Sequence, residues 1–200
     1  MRKFSLSVVL TCALFVPQKT AAWPTVFAEH FYRLYHLHMY QYPERTAENI
    51  AYLECALRSP FANPLNALAT IPDAKHWERY RYLFYMHVNL KLTELHLTWA
   101  SKYQKRTAYF FNAPWKYENL ESLDRAEELF RYALRYWNDA QDWSQKAARL
   151  RFHMKEIQFW EDENHRIETG DLDYKAIIEE QLRRVEKVRA AFKAMDENTY

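Results

Sequence analysis

Residues 74–103 read AKHWERYRYLFYMHVNLKLTELHLTWASKY, thirty positions with neither proline nor glycine. At 1.5 Å per residue this spacing predicts a helix of roughly 45 Å. It carries two apolar stripes. One is Trp77, Tyr80, Phe84, Val88, Leu95 and Trp99; the other is Leu83, Met86, Leu90 and Leu97. A helix that is apolar on two faces is packed from two sides, so this segment is the expected centre of the fold. Pro72 ends what precedes it, and Asp73 is placed to cap its first turn.

Helical patterns continue outward in both directions. Residues 25–40 carry Phe27, Phe31, Leu34 and Leu37 at spacings of three and four, and Tyr42-Pro43 ends the run. A second helix is expected over 45–57, stopped by Ser59-Pro60. Asn63-Pro64 then pairs an N-cap with a first-turn proline, opening a short helix to about Ala69. Beyond the central helix, residues 102–117 are irregular, rich in aromatics and broken at Asn112-Ala113-Pro114. Asn119 or Ser122 caps a helix through Trp137. A segment over 141–167 continues it or follows a kink near Asn138-Asp139. Gly170 supplies a stop, and Asp171 or Asp173 starts a last helix reaching Met195. The apolar stripe of that helix is Ile178, Leu182, Val185, Phe192 and Met195.

The fold class follows: all-α, with helical hairpins stacked as an irregular bundle or a short tetratricopeptide-like solenoid. The second form is suggested by Ala126-x-x-x-Phe130-x-x-Ala133, the second-helix spacing of tetratricopeptide repeats. Pro114 and Asn138 depart from that pattern. A single glycine among 200 residues argues against dinucleotide and P-loop motifs and most all-β folds, which need glycine in tight turns. No low-complexity linker divides the chain. One domain is expected over 23–200, with 171–200 as a semi-detached amphipathic helix.

The first 22 residues have the three-part order of a signal peptide. Met1-Arg2-Lys3 is basic, Phe4 to Val16 is apolar and too short to span a bilayer, and Thr20-Ala21-Ala22 offers small residues for cleavage between Ala22 and Trp23. Lipidation at Cys12 is a weaker alternative, because small residues usually precede a lipidated cysteine and here Val9-Leu10-Thr11 do. Cleavage leaves Cys55 as one cysteine, in a helical pattern that suits a small buried residue. An exported chain without an internal disulfide suits a bacterial periplasm. With the leader removed, the 28 basic and 26 acidic residues become 25 and 26, so no global field favours nucleic acid or anionic lipid.

Few residues form a constellation that carries chemistry. Glu161 or Asp162 with His165 supplies at most half a metal site, and Glu161-Asp162-Glu163 reads more simply as a solvated acidic patch. His87 with His153 is a conceivable axial pair for haem, but the covalent attachment motif is absent. Neither a catalytic residue nor a cofactor is assigned, and the chain is expected not to be an enzyme. What remains is surface. Tyr109, Phe110, Phe111, Trp115 and Tyr117 lie in one short stretch, and tryptophan and tyrosine are favoured at protein interfaces. They serve either as partner-binding anchors or as core over the central helix. Leu182, Val185 and Phe192 are the second partner-binding candidates, on an amphipathic helix that docks in cis or in trans.

Three phrases carry a resemblance. They are Asn63 to Ala69, Trp77 to His87 and Phe110 to Lys116. They resemble exported helical proteins of spirochaetes associated with the periplasmic flagellum, over about residues 45–140. That resemblance implies a noncatalytic periplasmic scaffold whose partners are other flagellar or envelope proteins; it carries over no site residue. The expected function is therefore a protein–protein interaction scaffold in a periplasmic assembly. The alternative is a small-ligand binder with an aromatic-lined cavity.

Overall fold

The computed structural model describes residues 25–196 and Thr199. The leader, Cys12 and the Ala22–Trp23 cleavage point lie outside the described residues. Six α-helices are present among them: α1 Ala28–Gln41, α2 Thr46–Arg58, α3 Ala74–Tyr103, α4 Lys116–Ala148, α5 Gln158–Thr169 and α6 Tyr174–Ala194. The protein is an all-α bundle built on the α3–α4 hairpin.

Sequence signals set several helix ends. Asp73 Oδ1 accepts from the backbone N–H groups of Lys75 and His76 at 2.8 and 2.9 Å, satisfying donors that the first turn of α3 leaves open. Asp173 caps α6 in the same way. Asn63 and Pro64 open one turn of 3-10 helix, Pro64–Asn66, shorter than the helix expected there. Gly170 ends α5 at φ +80°, a conformation that favours glycine.

The buried face of α4, which meets α3 and α6, has a seven-residue repeat. On α4, Leu123, Phe130, Trp137 and Ser144 recur every seventh position, and so do Ala126, Ala133, Ala140 and Ala147; all eight are buried. The short Ala-Phe-Ala pattern in the sequence is one part of this longer seam. A stripe of alanines permits close antiparallel approach, near the roughly 8 Å lower limit for packed helices. The hairpin helices of 30 and 33 residues are about twice the length that a 34-residue helix–turn–helix repeat allows each helix.

α3 is packed from both sides, as its two stripes require. Tyr80, Leu83, Phe84, Met86 and Val88 join α1, α2 and the start of α5 in one core. Leu90 and Ala100 join α4 and α6 in a second. The face of α1 differs from expectation: Leu37 is 61% exposed, while Ala28, Glu29, Tyr32 and Tyr35 point inward. The physical reason is polar. Glu29 Oε2 accepts from Ala62 N–H at 2.9 Å, and the Tyr32 hydroxyl reaches His87 at 2.8 Å. These bonds turn the tyrosine face, rather than the Leu37 face, to the core.

α4 runs through Asn138-Asp139 without a break, and the chain turns only after Ala148. An irregular stretch and one 3-10 turn, Lys155–Ile157, separate it from α5. Arg79 of α3 holds this corner. Its Nη1 donates to the carbonyls of Ala147 and Leu150 at 2.6 and 2.5 Å, and its Nε donates to Glu161 Oε1 at 3.0 Å; its Nη2 bonds Glu161 Oε2. Glu161 Oε1 also accepts from Met154 N–H at 3.1 Å. A buried cation therefore satisfies open carbonyls at the negative end of α4 while pairing with a buried carboxylate.

α6 is not semi-detached. Ile178, Val185, Val188 and Phe192 are buried against the α4 side of the bundle. Arg189 Nη2 donates to Asp124 at 2.9 Å and Glu127 at 2.5 Å, joining α6 to α4. Replacing Arg79 with Ala would strand the Glu161 carboxylate, so a loss of about 3–5 kcal/mol is expected in urea denaturation. A loss below about 1 kcal/mol would show that the pair is solvated.

Candidate interaction surface

The aromatic stretch after α3 is held by its backbone while four of its aromatic side chains face outward. Asn112 N–H bonds the Tyr109 carbonyl at 2.9 Å, and Asn112 Oδ1 accepts from Tyr109 N–H at 3.3 Å. This closes a 3-10 turn over Phe110–Trp115 that runs directly into α4. Asn119 Nδ2 donates to the Trp115 carbonyl at 2.8 Å. Lys116 Nζ donates to the carbonyls of Lys193 and Met195 at 3.1 and 2.8 Å, fixing the stretch to the end of α6. The lysine charge also faces the negative end of that helix.

Four of the five aromatic candidates here are exposed. Tyr109 and Phe111 are about half exposed, with rings stacked at 5.1 Å between centroids. Trp115 is 57% and Tyr117 80% exposed. The side chain of Phe110 lies outside the described residues. The alternative, that this stretch fills core over α3, does not hold for these four. The second candidate set is corrected. Val185 and Phe192 are buried in the α4–α6 core, and Leu182 is half-buried at its edge. Their stripe is spent on the chain's own α4, leaving the docked helix's polar face outward.

The histidines and acids of the sequence fall into a different pattern from the one expected. Glu161 and Glu163 are buried, so residues 161–163 are not a solvated patch; Asp162 alone is exposed, bonded to Gln158 at 2.6 Å. Glu161 is occupied by Arg79, and His165 is exposed. Glu163 accepts from His87 Nδ1 at 2.5 Å and pairs with Lys91 at 3.2 Å. Lys91 also bonds Glu94 at 3.0 Å, which accepts from the Tyr174 hydroxyl at 3.1 Å. His87 Nε2 accepts from Tyr32. Both ring nitrogens of His87 are thereby engaged, and His153 is exposed and bonded to Gln158, so the two do not form an axial pair. Among the described residues no group of three or more His, Cys, Asp or Glu side chains is placed to hold a metal ion. Cys55 is half-buried.

Residues 75–195, more than half of the chain, match the family model described as Domain of unknown function (DUF8513). The chain belongs to DUF8513. No curated protein and no solved structure matches it. The DUF8513 span takes in nearly all of α3 and runs through α6, so it contains the alanine seam, the Arg79–Glu161 pair and the aromatic ledge. The α1–α2 hairpin lies outside that span, and Tyr32 ties it in through His87.

Burial pushes the His87 imidazole below its ordinary 6.5, by more than the Glu163 carboxylate pulls it back up. His96 is depressed by burial as well. A histidine held neutral in the folded state gains a proton on unfolding, so its contribution is present above pH 6.5 and is lost as pH falls below it. Urea denaturation should show stability falling between about pH 6.5 and about pH 5.5, by up to ~1.4 kcal/mol per depressed histidine. A flat profile across that window would contradict burial of neutral His87. Replacing both Phe111 and Trp115 with Ala should leave helical circular dichroism intact and cost about 1 kcal/mol or less. Trp137→Ala, in the seam, should cost about 3–5 kcal/mol; equal losses would place the ledge in the core.

Proposed function

We propose that this protein is a noncatalytic, exported interaction scaffold that works in a periplasmic envelope or flagellar assembly. Its partners are other proteins, and its contact surface is the ledge of Tyr109, Phe111, Trp115 and Tyr117. One observation carries the reading: these large side chains are exposed on a backbone already fixed by Asn112, Asn119 and Lys116. Aromatic anchors on a preformed surface lose little freedom on binding and bury much area. The leader supports export, and the spirochaete resemblance supports the flagellar setting. Among the described residues no helix is long and apolar enough to cross a membrane.

A ligand cavity lined by aromatics has less support. The buried rings pack on one another, as Tyr32, Phe84 and Trp160 do with centroids 5.6 to 5.7 Å apart. The test is crosslinking in intact cells followed by pull-down of the mature protein. Envelope or flagellar proteins should be recovered in fixed ratio with the native chain and lost when Phe111 and Trp115 are both alanine. Recovery of the chain alone would overturn the scaffold.

A further inference from the structure

Beside the ledge, a groove of about 480 Å³ runs between the Arg106–Ala108 stretch and α6. Arg106, Arg183, Arg184 and Lys187 line it, against one carboxylate, Glu180. That carboxylate is taken by Arg183 at 2.8 Å. Arg106 and Lys187 make no ion pair among the described residues, and Arg184 shares the attraction of Glu180 without bonding it. Elsewhere on α6, Arg189 has three carboxylates and Lys175 has Glu179 at 4.0 Å, while Lys193 stands apart near the helix end. The groove thus gathers unmatched positive charge on a chain that is close to neutral overall, and like charges held together repel until an anion joins them. Ala108, Val188 and Ala191 supply its apolar lining.

We propose that this groove docks an acidic, extended segment of a partner protein. The proposal rests on the scaffold reading and adds the chemistry of the partner. Charge complementarity selects the segment. The paired donors of a guanidinium match a carboxylate edge, and Arg184 and Lys187, three apart on α6, present their charges on one side. Length agrees: Glu180 to Ala191 spans roughly 17 Å of helix, about five residues of extended chain. Small apolar side chains between the carboxylates meet Ala108, Val188 and Ala191. A nucleic acid strand fits less well. It needs open aromatic faces for its bases, but the groove lining holds no aromatic ring and the neighbouring Tyr109 and Phe111 rings are stacked on each other.

The probe is a fluorescein-labelled peptide, Asp-Ala-Asp-Ala-Asp-Phe, titrated with the mature chain and read by anisotropy. Saturable binding is expected, weakening as salt rises, and falling at least tenfold when Arg184 and Lys187 are both changed to Glu. Arg184 is only half-buried and Lys187 exposed, so this variant should keep its helical circular dichroism. The peptide with Lys in place of Asp should not bind. Absence of saturation up to about 1 mM, undiminished binding by the Glu variant, or tighter binding of a thymidine oligonucleotide would overturn the proposal. The two readings separate. A cellular partner lost with the ledge variant but kept with the Glu variant leaves the scaffold standing and removes the groove. Peptide binding without any cellular partner does the reverse.

Discussion

Four alanines spaced by seven on α4 set the architecture. Ala126, Ala133, Ala140 and Ala147 are all fully buried, and they leave room for α3 to lie close along most of α4. Large residues alternate with them: Leu123, Phe130 and Trp137 fill the space beside the seam. A larger side chain at any of the four would push the two long helices apart, and with them both cores. α3 feeds the α1–α2–α5 core from one side and the α4–α6 core from the other, so the spacing of this hairpin fixes where every other element can sit.

Buried charge does a second job. Without a proline or glycine, the end of α4 needs another reason to turn, and Arg79 supplies it by binding the carbonyls of Ala147 and Leu150. The same guanidinium holds Glu161, and two residues later Glu163 holds His87 and Lys91. α5 is therefore placed by two carboxylates that enter the core already paired. Such pairs add little net stability compared with apolar side chains of the same shape, but removing one partner is costly. They specify one arrangement of α5 on α3. Through His87 and Tyr32 that arrangement also includes α1, outside the DUF8513 span.

What the sequence made legible is what local chemistry decides. Asp73, Asp173, Asn63-Pro64 and Gly170 mark ends through their own side chains or backbone freedom, and the two stripes of α3 required two cores. What stayed hidden depends on residues far apart. Glu161 and Glu163 look solvated because their partners lie 82 and 76 positions away. The face of α1 was not legible because tyrosine is apolar along its ring and polar at its tip, and distant bonds, Tyr32 to His87 and Glu29 to Ala62, decide which way it turns. The stop after Ala148 had no local signal. The last helix showed its stripe plainly, but whether that stripe docked on α4 or on another molecule was a tertiary matter. At the ledge the residue types were visible and their exposure was not.

A separation of labour results. The seam, the ion pairs and the docked α6 hold the bundle, and the ledge at 109–117 is left over from that work, fixed in backbone and open in side chain. The direct test is oxidative footprinting of tryptophan side chains, in the purified protein and in intact cells. The account predicts that Trp115 is modified readily in the purified protein while Trp137 and Trp160 are protected, and that Trp115 becomes protected in cells. Equal modification of Trp115 in both settings, or its protection in the isolated chain, would contradict it.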